Sequence, residues 1–319
     1  MTLALVGDIG GTNARFAIAD VAQDLPRVGA PRLFRVADQP DPSEAIEAVL
    51  ADAPERPTVA VLAVAGPVGG GAVRLTNAGW SLSEAGLRAH GMDQAKLIND
   101  FAAQAWAAPL LDDGDRRSLG GPAAGATGAT IATLGPGTGF GLAAWVDDGQ
   151  RQAVVSGEGG HVGFAPVDDV EVEILRLLTR RYGRVSIERI LSGPGLAALH
   201  EALSQIDGKA CDPLGPDAVT RGALAGQADA RRTVERFCAI LGSVAGDAAL
   251  ALGARGGVYV AGGVGSAIAD ILARSDFRQR FEDKGRFAGY LRTVPTWLVT
   301  RDHPALLGAA NCARTLHAP

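Results

Sequence analysis

The chain has 319 residues, 47% of them apolar and 20% charged, which is room for two domains with sizeable cores. Its formal charge of -5 gives no basic footprint, so neither nucleic acid nor an anionic membrane surface is an expected partner. The three cysteines, Cys211, Cys238 and Cys312, are far apart with no Cys-x-x-Cys, which argues against a disulfide framework and a zinc site.

Met1 to Val6 lacks a basic n-region and reaches Asp8 too soon for a signal peptide, and no apolar stretch is long enough for a bilayer. A cytoplasmic location is therefore expected. Leu3 to Val6 reads as a buried strand, Gly7-Asp8-Ile9-Gly10-Gly11-Thr12-Asn13 as a Gly-rich turn, and Ala14 to Asp20 as a strand pairing back. Backbone N–H groups in such a turn form a concave site for phosphate oxygens, and Thr12 and Asn13 add donors. Asp8 makes sense beside phosphate if a cation stands between them. The same residues also suit an ordinary hairpin with a Gly bulge.

Pro31 to Val36 reads as a strand and Ser43 to Ala51 as a helix with Ala45, Ile46, Val49 and Leu50 on one face. Thr58 to Ala65 has the continuous β-branched and apolar character of a strand covered on both faces, stopping at Gly66-Pro67. Val73 to Thr76 reads as a short strand leading to Asn77 and Trp80, after which Ser81 with Glu84 has capping-box spacing and Gly91 closes a helix.

Lys96 to Ile98 is the next strand, ending at Asn99-Asp100, with a helix from Phe101 to Ala108. Ligands of open α/β sheets bind beyond the carboxyl ends of strands, so this polar pair is placed for chemistry. Asp100, kept ionised by the helix N-terminus, suits a general base, while Asn99 or Asp100 equally suits a plain helix cap. Pro109 to Gly128, with Asp112-Asp113-Gly114-Asp115 and Gly120-Gly121-Pro122, has the composition of an exposed connection between domains.

Ala129 to Leu134, Gly135-Pro136-Gly137-Thr138-Gly139-Phe140-Gly141 and Leu142 to Asp147 repeat the opening hairpin, with Thr138 in the place of Thr12. Two such half-sites imply two similar domains, and a nucleoside triphosphate held in a cleft between them, one loop from each, would explain both copies. Neither loop has the P-loop pattern or a Gly-x-Gly-x-x-Gly that opens a helix. Ala153 to Val155 leads into a Gly-rich turn region, Ser156 to Pro166, whose Glu158 and His161 suit either sugar hydroxyls or plain solvent. Asp168 and Asp169 precede a helix with Val172, Leu175 and Leu178 on one face and Arg180-Arg181 at its end. Helices are read at Pro194 to Gln205, Asp217 to Ala225 and Ala230 to Leu252, then a strand at Val258 to Ala261 and the turn Gly262-Gly263. Thr293 to Thr300 gives a further strand and Ala305 to Leu316 a helix.

Five segments, Asp8 to Asn13, Ile98 to Phe101, Gly157 to His161, Glu188 to Gly195 and Phe281 to Phe287, resemble bacterial ATP-dependent glucokinase, in that family's order and across nearly the whole chain. The first loop alone would mark only the wider sugar-kinase, actin and heat-shock ATPase superfamily. The resemblance implies an α/β, two-domain actin-like (ribonuclease H-like) sugar kinase fold with the active site in the interdomain cleft. Residues 1–109 plus about 302–319 are then the smaller domain, the C-terminal helix packing back on it, and 110–301 the larger.

The activity it implies is transfer of the γ-phosphoryl group of ATP to O6 of glucose, giving glucose 6-phosphate for glycolysis. Asp100 is the implied catalytic base, and Asn99, Asp100, Glu158, His161 and Glu188 the implied glucose ligands. Gly7, Asp8, Ile9, Gly10, Gly11, Thr12 and Asn13, with Gly137, Thr138 and Gly139 and with Gly262 and Gly263, would bind the nucleotide; Asp8 would hold Mg2+ through water. A homodimer is the family's common state. Val162-Gly163-Phe164-Ala165-Pro166 stands where the repressor-related branch carries a Cys-rich zinc motif, so structural zinc is not expected. From the residues alone, Glu188 also suits a helix-surface acid, Gly193-Pro194-Gly195 a helix start and Gly262-Gly263 a plain strand-to-helix turn. Two rivals remain on this reading: a kinase of another hexose on the same fold, and a sugar-sensing regulator without turnover. The regulator is expected to carry a helix-turn-helix before the phosphate loop, and few residues precede Gly7.

Overall fold

The opening apolar run folds into β1 (Leu3–Ile9), buried along almost its full length, which pairs antiparallel with β2 (Asn13–Asp20). In the computed structural model, residues 2–39, 41–66, 68–75, 79–209 and 213–317 are described. Pro67, Thr76, Asn77 and Cys211 lie outside them. The chain divides into two units, Met1–Leu111 with Arg301–Pro319, and Asp112–Thr300.

In the first unit β3 (Arg27–Val28) and β4 (Arg32–Arg35) both pair with β2, and α1 (Pro42–Ala51) buries Ala45, Ile46, Val49 and Leu50. Asp41 caps α1, its Oδ1 accepting the Ser43 N–H at 2.6 Å. β5 (Val59–Val64) is buried at every residue and runs parallel to β1. A small hairpin of β6 (Ala72–Arg74) and β7 (Ser81–Ser83) leads to α2 (Glu84–Ala89). β8 (Gln94–Asn99) pairs parallel with β5, and α3 (Asp100–Ala107) starts directly from it. The sheet order is β3-β2-β1-β5-β8, with β4 also on β2. Its core gathers Leu5, Ile9, Phe16, Ile46, Leu62, Trp80 and Leu97; full burial of each aliphatic side chain is worth about 1.5–3 kcal/mol. The helix Pro304–His317 completes this unit against α3, β1 and β5. Gly308 permits the approach, because a Cβ there would lie 1.7 Å from the Ala103 carbonyl oxygen, and Asn311 Nδ2 donates to the Trp106 carbonyl at 2.8 Å.

The second unit opens with β9 (Arg116–Gly120), then the hairpin of β10 (Ile131–Pro136) and β11 (Phe140–Asp147), extended by β12 (Gln152–Gly157). Four helices follow, α4 (Asp169–Tyr182), α5 (Gly193–Ile206), α6 (Pro216–Leu224) and α7 (Ala228–Leu252). After β13 (Gly257–Val260) come short helices α8 (Gly263–Ala267), α9 (Ala269–Leu272), α10 (Phe277–Glu282) and α11 (Ala288–Arg292), then β14 (Thr296–Val299). The order β12-β11-β10-β13-β14-β9 repeats the first unit's scheme of an antiparallel hairpin continued by two parallel strands. Helices α7 and α10 pack on the sheet and α5 on α7, in one core that includes Leu134, Val260, Leu199, Phe237, Leu241, Phe277 and Phe281. No helix among the described residues is long and apolar enough to cross a membrane.

Several local readings need correction. Ser83, not Ser81, caps α2: its Oγ accepts the Gly86 N–H at 2.9 Å, while Ser81 is a strand residue and Glu84 Oε1 accepts the Leu97 N–H at 3.2 Å. The stretch from Pro109 to Gly128 is not connection throughout, since β9 pairs antiparallel with β14 at the sheet edge. Its Arg116-Arg117-Ser118 offers no apolar alternation, as suits an edge strand. The buried line of α4 is Glu171, Ile174 and Leu178, so Val172 and Leu175 stand to one side of it. Glu171 is fully buried against Arg236 and Arg280, a charged core position that an apolar count passes over.

Candidate active site

The first Gly-rich turn is shorter than its sequence suggests. Gly7, Asp8 and Ile9 belong to β1 and Asn13 to β2, leaving Gly10, Gly11 and Thr12 as the link. The N–H of Gly10 is spent on the Asn13 carbonyl at 2.9 Å, while Gly11 and Thr12 are exposed at the tip. Gly7 has a packing reason instead: a Cβ there would stand 2.7 Å from Leu62 Cδ2 and 3.0 Å from the Phe16 ring. The exposed part of the loop is therefore its tip, Gly11 and Thr12, while Gly7 and Ile9 are strand residues.

Asp8 and Asp100 stand at the carboxyl ends of β1 and β8, on either side of β5 in one parallel arrangement. Burial pushes the Asp8 carboxyl above the usual carboxylate range, and Arg15 and His303 pull it back only in part. Burial likewise raises Asp100, opposed by its acceptance of the Phe101 N–H and reinforced by the negative charge of Asp8. Desolvation thus outweighs the favourable donors at the helix start in setting the direction of the shift. Asn99 Oδ1 accepts the N–H groups of Phe101 and Ala102 at 2.9 and 3.3 Å, and its Nδ2 donates to the Gly66 carbonyl at 3.3 Å. The cap is thus Asn99, held between two strand ends.

In the second unit Gly137, Thr138 and Gly139 form the link of the β10–β11 hairpin, with the Gly137 N–H donating to the Gly139 carbonyl at 2.8 Å and Thr138 exposed. The end of β10 and the turn at Gly262 touch each other. A Cβ on Gly135 would lie 1.7 Å from the Ala261 oxygen, and one on Gly262, whose φ is +94, would lie 2.5 Å from the Pro136 oxygen. Neither position admits a side chain. Beside them opens a cavity of ≈ 600 Å³ lined by Gly137, Thr138, Gly193, Thr220, Arg221 and Gly263 among others. Pro216, Asp217, Thr220 and Arg221 of α6 enter this lining although sequence reasoning took the segment only as a helix; they carry no motif that marks them.

Glu158 and His161 are exposed at the two ends of a one-turn 3-10 segment, Gly159–His161, where the His161 N–H donates to the Glu158 carbonyl at 3.0 Å. Gly159 and Gly160 leave no room for a Cβ against Leu142 and Phe140. Glu188 lies on the 3-10 turn Ile187–Arg189 and its Oε2 accepts the Phe140 N–H at 2.9 Å, so it joins the β10–β11 link and is no free surface acid. The structure thus groups Asp8, Asn99 and Asp100 in the first unit, and Gly137 to Gly139, Glu188 and the Gly262-Gly263 turn in the second. Among the described residues no group of three His, Cys, Asp or Glu side chains is arranged to hold a metal ion.

A family model described as Glucokinase matches residues 5–316. Glucokinase of Caulobacter vibrioides is 51% identical over 312 residues, covering 97% of this chain and 94% of that protein. Glucokinase of Hahella chejuensis is 44% identical over 314 residues, covering 98% and 97%. A crystal structure of glucokinase from an Antarctic psychrotroph matches with a TM-score of 0.92 at 39% identity, over 98% of this chain and 99% of that one.

Proposed function

The chain belongs to the glucokinase family and is an ATP-dependent kinase that makes glucose 6-phosphate, and from that premise we propose which of its residues do the work. Asp100 accepts the proton of the glucose O6 hydroxyl as phosphoryl transfer proceeds. The observation that carries this assignment is its carboxylate at a strand end with the capping duty already met by Asn99. Its raised pKa also makes the Asp100 carboxylate a better proton acceptor than an ordinary aspartate.

Asn99, Glu158, His161 and Glu188 bind the sugar hydroxyls, which as neutral groups need fixed donors and acceptors in place of charge. The exposed tips Gly11-Thr12 and Gly137-Thr138-Gly139 donate to the triphosphate, and the cavity beside Thr220 and Gly263 takes the nucleoside. Its volume is in the range of a nucleoside-sized ligand. Asp8 fits a role towards Mg2+: it stands at the end of β1 beside the Gly10 to Thr12 link, and a carboxylate completed by water and phosphate oxygens is the usual Mg2+ arrangement. When bound, Mg2+ supplies neutralisation of the charge between phosphate oxygens.

The assembly is proposed to be a homodimer, on family membership alone. Sugar-dependent ADP formation measured across several hexoses with Mg-ATP tests the substrate. Glucose is expected to give the highest kcat/KM; faster turnover of an N-acetylated hexosamine would point to another sugar kinase, and ligand binding without turnover to a regulator.

A further inference from the structure

Glu188 has one carboxylate oxygen committed before any sugar arrives. Its Oε2 accepts the N–H of Phe140 at 2.9 Å, and Phe140 is the residue that closes the Gly137 to Gly139 turn. A Cβ on Gly139 would stand only 2.5 Å from that same oxygen, so the carboxylate lies against the turn itself. The residues after Glu188 repeat the attachment. Ser192 Oγ donates to the Glu188 carbonyl at 2.7 Å, the Gly195 N–H donates to Ser192 Oγ at 3.0 Å, and the Gly193 N–H donates to the Gly137 carbonyl at 2.8 Å. Both ends of the turn, Gly137 and Phe140, are therefore tied to one short stretch of chain that begins at Glu188.

We propose that Glu188 is a coupling residue, through whose shared carboxylate hexose binding and nucleotide binding at the Gly137 to Gly139 turn strengthen each other. This rests on the assignment of Glu188 to the hexose. A sugar hydroxyl donating to Oε1 holds the carboxylate in place, and the seated carboxylate holds the Phe140 N–H and with it the turn that faces the triphosphate. The two relevant states are the carboxylate seated on the turn and the carboxylate swung away. Either ligand favours the seated state, so the second to bind meets a site already ordered. Linkage makes the effect equal in both directions, and couplings of this kind are typically about 5–150-fold.

Calorimetric titration of the full chain with glucose, with and without Mg2+ and a non-hydrolysable ATP analogue, and the reverse titration, give the coupling factor by two routes. The native chain is expected to show at least about fivefold by both. Gly139→Ala then tests the path from the nucleotide side. Gly139 has no left-handed φ, and the atom its methyl would displace is the far end of a flexible side chain, so the fold should hold and the melting temperature stay near native. Displacing the carboxylate should lower glucose affinity even without nucleotide and bring the coupling below about twofold, although the substitution lies on the nucleotide turn. A native coupling near one, or a Gly139→Ala protein whose glucose affinity and coupling stay native, overturns the proposal.

Glu188→Ala separates the proposal from the assignment beneath it, and decides alone if Gly139→Ala does not fold. Native glucose affinity in that variant removes Glu188 from the hexose site and overturns both. Weakened glucose binding with the coupling intact keeps the assignment and overturns the coupling. Weakened binding with the coupling lost is the result expected.

Discussion

Asn99 supplies the main cap of α3, its Oδ1 taking the N–H groups of Phe101 and Ala102, while the neighbouring Asp100 shares the Phe101 N–H through its Oδ1 at 2.9 Å. With the proposed base at Asp100, the cap at Asn99 would carry the helix start if the Asp100 carboxylate were changed. Asp100→Asn should therefore separate chemistry from helix start. Loss of a positioned general base typically lowers kcat by about 10²–10⁴. Glucose affinity, measured by calorimetry, should change little, since an amide keeps hydrogen-bonding capacity. Near-native kcat would return Asp100 to a structural role.

The same variant should not melt earlier than the native chain. A carboxyl whose folded pKa lies above its unfolded value binds its proton more tightly when folded. Its effect on stability becomes unfavourable as pH rises from the unfolded pKa through the folded one, and is complete above the folded pKa. Asp100→Asn removes that penalty, so its melting temperature at pH 7 should equal or exceed the native value, and the difference should shrink as pH falls toward the unfolded pKa of about 3.9. A fall at pH 7 would contradict the direction assigned to Asp100.

Activity should carry the same signature. The base must be ionised, so kcat should decline on acidification at a pH above that of a free aspartate, and the limb should move to lower pH in Asp8→Asn, because the nearby like charge is gone. An acid limb that stays put would remove Asp8 as a cause.

Glu171 is the test of what holds the second unit together. Its Oε1 takes Arg280 Nη2 at 2.7 Å and Arg236 Nη1 at 3.1 Å, and its Oε2 accepts the Val167 N–H at 3.0 Å, with the side chain 1% exposed. Glu171→Ala leaves Arg236 and Arg280 with the partly exposed Asp168 as their remaining acidic partner; breaking a buried pair outright typically costs about 3–5 kcal/mol, and the retained contacts place the loss near the lower end of that range. Denaturant unfolding should show a loss of that order; a change under about 0.5 kcal/mol would mean the network is solvated.

Gly7→Ala should unsettle the first unit's core without touching the triphosphate. The added methyl meets Leu62 and Phe16, and overpacking of this kind typically costs about 1–3 kcal/mol. Lower stability with an unchanged KM for ATP is the expected pair of results; an unchanged stability with a raised KM would restore Gly7 to the phosphate site.

How far the sequence could be read depended on where each signal lay. The two hairpins and the parallel strands were legible because their apolar runs are continuous, as at Val59–Val64, and stop at glycine. The short helices from Gly263 to Arg292 were not, since pieces of four to six residues hold too few turns to show a period. The cap at Ser83 was misplaced by two residues because Ser81 has the more familiar spacing to Glu84. At the site, Asn99-Asp100 stood out by its place at a strand end, whereas Thr220 and Arg221 reach their cavity only through the packing of α6, which no local pattern encodes. The direction of the Asp100 shift was likewise hidden, because desolvation depends on neighbours distant in the chain.

The helix Pro304–His317, which closes the first unit over Trp106 and Ala103, is translated only after the whole of Asp112–Thr300. At roughly 5–20 residues per second, the nascent first unit spends on the order of ten seconds or more on the ribosome without it, with β1, β5 and α3 uncovered. The intervening unit is contiguous and can finish first. A chain that stops short of the helix would thus carry one completed half and one open apolar face, a natural substrate for chaperones and for degradation.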